Sequence, residues 1–193
     1  MHEQSKAAKR RFYDGSFHAR FFTGEGIDIG GKPDPLARYI GLFAGMKSVK
    51  TWDIKDGDAQ FLTGIKDESY DFLMASHSLE HMVDVTESLR NWLRIVKPGG
   101  YLIITVPDED LYEMGYWPSK WNGDHRHTFT IYKKKSWSPV SINILDLVVE
   151  FGLEVERIVL VNDFFLEEFR GIDQTMMPSA ECSIEFIVKK EMG

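Results

Sequence analysis

Apolar residues recur along this chain in two rhythms. Segments of strand length and apolar character fall at residues 26–29, 49–54, 70–75, 101–106, 155–161 and 183–189. The nearly continuous apolar run at 101–106 predicts a strand buried on both faces, as in a parallel sheet. Between them apolar residues recur at helical spacing. Val85, Leu89, Trp92, Leu93 and Val96 predict a helix over 85–96, stopped by Lys97-Pro98-Gly99-Gly100. Ile142, Leu145, Val148 and Val149 predict another over 141–151, stopped by Gly152. A helix is expected over 4–20, interrupted at Gly15, and a short one over 36–43 after Pro33 and Pro35. Residues 61–65 read as a short strand or a turn, and 164–177 as a loop or short helix. Residues 107–135 lose periodicity and turn aromatic and polar, a pattern more often functional than idle in a compact domain. Strands alternating with helices, closed by a strand pair, give an α/β three-layer architecture.

Composition narrows the function classes. The 193 residues suit one domain, expected to span 1–193, with a helical segment at 1–24 and a loop insertion at 107–140. At 43% hydrophobic and 27% charged, the chain has the balance of a soluble globular protein. The net charge of −7 argues against a nucleic-acid partner. The basic clusters at Lys6, Lys9, Arg10, Arg11 and at Lys133, Lys134, Lys135 read as solvated faces. Cys182 is the single cysteine, so no internal disulfide forms. No apolar run reaches the roughly 20 residues of a membrane span, and no secretory leader is evident. A cytoplasmic protein without a membrane partner is the expectation.

Candidate chemistry clusters after the strands. Asp28 closes the first strand and Gly30-Gly31 follow, so the backbone can approach a ligand's polar tail closely. The alternative is a tight turn with Asp28 accepting nearby backbone N–H groups. Asp53 ends the second strand, where a carboxylate can accept both hydroxyls of an adenosine ribose. Gly57-Asp58-Ala59 places an acid where an exocyclic adenine amine could donate. Ser76-His77-Ser78-Leu79-Glu80-His81-Met82 follows the third strand. His77, Glu80 and His81 have the spacing of an inverted zinc motif. That motif needs a helix with a third ligand, whereas this segment leaves a buried strand and runs into a helix cap at Val83-Asp84, so no metal is expected. In the loop, Asp124-His125-Arg126-His127 offers imidazoles for proton transfer near neutral pH. His125 and His127 are the base candidates, with Asp124 to orient them and His77 next in line; loop-ordering hydrogen bonds are the alternative.

Together, G-I-D-I-G-G at 26–31, Asp53, G-D-A at 57–59, Y-D-F-L-M-A-S-H-S-L-E-H-M and W-L-R-I-V-K-P-G-G-Y-L-I-I-T-V-P resemble the class I S-adenosylmethionine-dependent methyltransferases. D-H-R-H-T-F-T is similar to the family's segment beyond the fifth strand. The resemblance runs from about residue 26 to 160. It implies a Rossmann-like sheet of seven strands, order 3-2-1-4-5-7-6, with strand 7 antiparallel. It implies S-adenosyl-L-methionine as cofactor and S-adenosyl-L-homocysteine as product. Gly30 and Gly31 would lie at the methionine part, Asp53 and Ile54 at the ribose, Asp58 and Ala59 near adenine, and Ser76 and His77 beside the methionine end. Tyr112, Trp117 and Trp121 would wall the acceptor site. The resemblance further implies a small acceptor, such as a sugar hydroxyl or a surface-polysaccharide building block. One departure is plain: the usual D-x-G-x-G-x-G loop continues here as Lys32-Pro33-Asp34. A nicotinamide-dependent oxidoreductase and a non-catalytic cofactor-binding relative are the alternatives.

Overall fold

The predicted apolar runs assemble side by side. The computed structural model describes residues 3–192. Among them, β1 (Gly24–Ile29), β2 (Met46–Trp52), β3 (Tyr70–Ser76) and β4 (Val96–Pro107) lie parallel, and β7 (Glu154–Val161) and β8 (Ser183–Lys189) complete the sheet. The order is β2-β1-β3-β4-β8-β7, with β8 antiparallel to both neighbours. A short parallel pair, β5 (Thr128–Thr130) and β6 (Ser141–Asn143), stands apart. Helices α1 (Glu3–Phe12), α2 (Val85–Ile95) and α3 (Ile144–Glu150) pack around the sheet. No helix among the described residues is long and apolar enough to cross a membrane.

The period-2 alternation of each strand sorts its side chains to two cores. Leu73, Ala75, Leu102, Ile104, Ile184 and Phe186 face one side, where Leu89 and Trp92 of α2 and Val148 of α3 meet them. Phe72, Met74, Ile103 and Ile187 face the other, packed on Phe17, Phe21, Phe22, Leu36 and Phe43. Gly26 and Phe72 are register partners, and a Cβ on Gly26 would collide with the Phe72 ring. Asp84 caps α2, its side chain accepting the Glu87 N–H at 2.9 Å.

Six strands form the main sheet where seven were expected. Residues 61–65 make a turn instead, with the Phe61 and Leu62 N–H groups on the Asp58 carbonyl. Only Leu62 of that run is fully buried, too little apolar surface to extend the sheet. β2 is therefore an edge, and its exposed Lys47 and Lys50 suit one. The expected helix over 4–20 divides at Phe12, because Asp14 turns the chain by accepting the Ser16 N–H and pairing with Arg157. A π-helical turn, Phe17–Phe21, follows. The expected helix over 141–151 begins later, since Ser141–Asn143 pairs with β5 and Asn143 caps α3 at the Leu145 N–H.

The basic clusters are not simply solvated. Arg11 is buried against Glu185 at 2.8 Å, with Gln4 and Thr105 taking its other N–H groups. Arg10 reaches Glu185 and Glu181. Burial alone would push the Glu185 carboxyl up; the two guanidiniums hold it below its ordinary range. Lys133 joins Glu109 and Asp110. Asp28 sits beneath the Gly30-Gly31 turn, fully buried, with its Oδ2 accepting the Leu36 N–H at 2.7 Å. Desolvation pushes its carboxyl up to about 7, against the pull of that N–H and of Arg11.

Two measurements check these buried charges. Arg11→Ala leaves Glu185 with Arg10 and, at 3.8 Å, Arg157, and is expected to lower unfolding stability by about 3 kcal/mol, the low end for a broken buried pair. Urea unfolding reads this, and an unchanged midpoint would show that the other two guanidiniums suffice. Asp28 holds a proton in the folded chain that the unfolded chain releases near 3.8. Stability should therefore fall as pH rises from about 4 to about 7, an effect absent from Asp28→Asn. Parallel stability profiles for parent and variant across that window would refute it.

Candidate active site

β1, β2, β3 and β4 end along one edge, and their following loops enclose two adjoining cavities. The larger, about 870 Å3, is lined by Trp52, Asp53, Ile54, Gly57, Asp58 and Ala59 on one side and by His77, Ser78, Asp124 and His125 on the other. The smaller, about 190 Å3, lies between Glu3 and Gln4 of α1, Gly30, Gly31, Ser76, Tyr112 and Asn122. Gly30, Lys32, His77, His81 and His125 belong to both walls.

Local chemistry shapes the larger cavity. Gly30 turns with φ +68°, and a Cβ there would meet the Ser78 hydroxyl, which donates to the Ile29 carbonyl. Asp53 caps the turn after β2. Its oxygens accept the N–H groups of Ile54 at 2.8 Å and Lys32 at 3.3 Å, which fixes the carboxylate on the cavity rim. Ile54 is 91% exposed, an apolar side chain on that rim. Asp58 accepts the Gln60 N–H, and the Ala59 carbonyl takes the Trp92 indole N–H at 2.8 Å, pinning this loop to α2.

The loop beyond β4 is held by carboxylates. Buried Glu109 accepts from Thr128, Lys133, Ser136 and Ser141. The N–H groups of Arg126 and His127 bond the Glu80 carbonyl, which docks the loop against the turn after β3. His125 thereby meets His77 and His81 around the Glu80 carboxylate. His77 Nδ1 lies 3.6 Å from Glu80 Oε1, and His81 Nε2 and His125 Nε2 each lie 3.9 Å from it. Burial opposes ionisation of Glu80, and the imidazoles hold its carboxyl below its ordinary range. Behind the rings, His125 Nδ1 stands 2.7 Å from Glu113 Oε1 and His81 Nδ1 3.2 Å from the Asp124 carbonyl.

The structure thus brings together Gly30, Gly31, Asp53, Ile54, Asp58, Ala59, Ser76, His77, Tyr112, Asp124 and His125 on the cavity walls. It leaves others outside. Asp28 lines neither cavity and instead accepts the Leu36 N–H, the role foreseen as its alternative. His127 lines neither cavity, since its Nε2 is 3.1 Å from the Met82 carbonyl, to which it donates. Trp121 donates to the Tyr112 carbonyl and braces that residue from behind, and Trp117 is also off the walls. The carboxylate behind His125 is Glu113 rather than Asp124, whose side chain accepts no imidazole N–H among the described residues; its backbone carbonyl serves His81 instead. Glu113 carried no signal in the sequence, lying in an aperiodic stretch. Glu80 and His81 stood in a visible motif, but their partner His125 comes from a distant loop.

Comparisons with known proteins agree with this geometry. A family model described as "Methyltransferase domain" matches residues 9–157. A putative methyltransferase from Bacillus halodurans superposes with a TM-score of 0.61 at 13% identity, covering 96% of this chain and 99% of its own. A SAM-dependent methyltransferase from Archaeoglobus fulgidus gives 0.57 at 20% identity, covering 97% and 94%. At these identities the likeness is one of fold. A PKS-NRPS hybrid synthetase of Chaetomium globosum is 30% identical over 120 residues, 59% of this chain, and the chain spans only 2% of that synthetase's length. On the family match, which covers most of its length, the chain belongs to the methyltransferase domain family, within the class I S-adenosylmethionine-dependent methyltransferases.

Proposed function

We propose that this chain methylates a hydroxyl oxygen of a small acceptor, a sugar or a building block of a surface polysaccharide, within one domain spanning 1–193. The observation that carries this reading is the pair of cavities joined at Gly30, His77 and His125. One is large enough for a nucleoside and its tail, the other for the reacting end of an acceptor. When bound, the cofactor supplies a methyl group already activated on a sulfonium, so alignment and exclusion of water are the protein's main tasks.

The residues present fit that cofactor. Asp53, its carboxylate already oriented by two backbone N–H groups, would accept the ribose hydroxyls. Exposed Ile54 offers an apolar face to the base, and Asp58 and Ala59 close its far side. Gly30 and Gly31, kept bare by the space that Ser78 and Asp28 occupy, let the methionine tail approach the backbone beside Ser76 and His77. Asp28 supports this turn from below.

On the acceptor side, Tyr112 is the wall residue, with Trp121 bracing it; Trp117 lines neither cavity. His125 stands at the junction with Glu113 behind it, placed to activate the acceptor hydroxyl; Asp124 and His77 flank it, and His127 orders the loop. The chain's net negative charge supports a small acceptor over a nucleic acid, which a basic surface would attract. Work in the cytoplasm fits this reading.

Mass spectrometry of candidate sugars and sugar nucleotides incubated with protein and donor should show the gain of one methyl group. A gain only on amines would replace the hydroxyl reading. Asp53→Ala should weaken S-adenosylmethionine binding by about 1.5–3 kcal/mol in calorimetry, the scale of hydrogen bonds to a charged group, with the fold intact. His125→Ala should lower turnover by about 10²–10⁴ while cofactor binding persists. His127→Ala should chiefly raise the acceptor KM.

A further inference from the structure

The junction of the two cavities contains a contact that hydrogen bonding leaves unsatisfied. Glu80 is fully buried, and neither of its carboxylate oxygens has a hydrogen-bond partner among the described residues. An isolated buried carboxylate is among the most costly groups a fold can hold. The nearest imidazole is His77, with Nδ1 at 3.6 Å, and two more hold their Nε2 atoms 3.9 Å away, all too far for a hydrogen bond.

The tautomers of those imidazoles follow from their outer partners. His81 Nδ1 faces the Asp124 carbonyl, which has only lone pairs, so Nδ1 carries the hydrogen. His125 Nδ1 faces the Glu113 carboxylate at 2.7 Å, again an acceptor. In the neutral ring both Nε2 atoms are then bare lone pairs directed at a bare carboxylate. Three electron-rich atoms on three side chains, all within 4.8 Å of one another, form a ligand set for a positive charge beyond what His77 offers from 3.6 Å. A carboxylate or carbonyl behind the distal nitrogen of an imidazole is also how metal-bound histidines are oriented.

We propose that Glu80, His81 and His125 form a binding site for a divalent first-row transition cation, of which Zn2+ and Mn2+ are the probes of choice. Two imidazoles and one carboxylate suit such ions and not Mg2+ or Ca2+, which prefer oxygen ligands throughout. Ligand atoms about 2.0–2.2 Å from zinc stand about 3.3 Å apart, so the Glu80 contacts at 3.9 Å need to close by about 0.6 Å, and the two imidazoles, within 4.8 Å of each other, need to draw together with them. His77 stands outside the group, with Nδ1 toward Glu80 and Nε2 3.1 Å from the Ser183 hydroxyl, and braces the carboxylate. Three protein ligands leave coordination positions open toward the smaller cavity, the arrangement of catalytic rather than structural sites.

The site's chemical use rests on the proposed methylation of a hydroxyl. An acceptor oxygen on an open position loses its proton more readily, and that proton passes to water. The oxygen–methyl bond then forms as the sulfur–methyl bond of the donor breaks, leaving the thioether. His125 thus acts on the acceptor through the cation.

Binding is measured without any acceptor. Chain stripped with chelator and dialysed against Zn2+ should take up one ion, read by elemental analysis, and Co2+ should give visible bands of a low-coordinate site. His81→Ala and His125→Ala should each abolish stoichiometric uptake. Glu113→Gln should weaken it by about 10–100-fold, the scale for an outer partner of a metal-bound histidine. His18→Ala, a histidine held on the Phe12 carbonyl, should leave uptake unchanged. If an alanine variant fails to fold, Glu80→Gln, which keeps the side-chain volume, and the Co2+ spectrum of the parent chain decide. Equal uptake by the parent and Glu80→Gln, or none by the parent, overturns the site and assigns the positive charge to a proton on an imidazole. Calorimetry with S-adenosylmethionine on the stripped chain separates the two proposals. Cofactor binding without Zn2+ uptake defeats the cation site alone, whereas Zn2+ uptake without cofactor binding defeats the methylation reading alone.

Discussion

Glu185 places a full charge inside the antiparallel side of the sheet, and the rest of the site depends on how that charge is neutralised. A buried carboxylate without a partner would cost several kcal/mol. Arg11 supplies the partner, reached through α1, and its remaining N–H groups are taken by Gln4 and Thr105. The pair fixes the rotation of α1 as well as its position. With Arg11 turned inward against Glu185, Glu3 and Gln4 fall on the wall of the smaller cavity. The segment before the first strand becomes part of the site through this pair together with Arg10 on Glu181 and Glu185 and Lys6 on the Thr175 and Ala180 carbonyls.

The same device recurs along the carboxyl edge. Asp28, Glu80, Asp108, Glu109, Glu113 and Glu185 are all buried there or beside it. Each orders a loop that periodic hydrophobic packing cannot order. Asp28 holds the glycine turn through Leu36, Asp108 caps the turn after β4 at the N–H groups of Asp110 and Leu111, and Glu109 gathers Thr128, Lys133, Ser136 and Ser141. A buried carboxylate specifies geometry because only a narrow set of donor positions relieves it. The loops carrying His125 and Gly30 are thus preorganised by buried carboxyl groups, on a scaffold whose strands are held by apolar burial.

Glu80 differs from its neighbours. Their carboxylates accept at least one hydrogen bond each, whereas both oxygens of Glu80 remain open at the junction of the cavities. Its backbone carbonyl meanwhile docks the loop that brings His125. The residue that assembles the cluster is also the one whose carboxylate finds no hydrogen bond within it, its nearest imidazole being His77 at 3.6 Å. That combination marks a functional position more sharply than burial or titration alone.

The sequence by itself determined the sheet strands, the main helix and which residues follow the strand ends. A nearly continuous apolar run and a 3.6-residue period are local consequences of which faces are buried, so 70–75, 101–106 and 85–96 could be read directly. Asp53, Gly30 and Asp58 followed because a strand end and its loop are neighbours in sequence. Residues 61–65 were ambiguous because one buried Leu62 among turn formers cannot show whether a partner strand exists. The tertiary structure alone decided the rest. It turned Arg11 inward, set Glu113 rather than Asp124 behind His125, sent His127 to the Met82 carbonyl, and gave Glu80 and His81 their third companion. Those arrangements join residues far apart in the chain, and a buried charge chooses its partner by three-dimensional proximity, which no local spacing encodes.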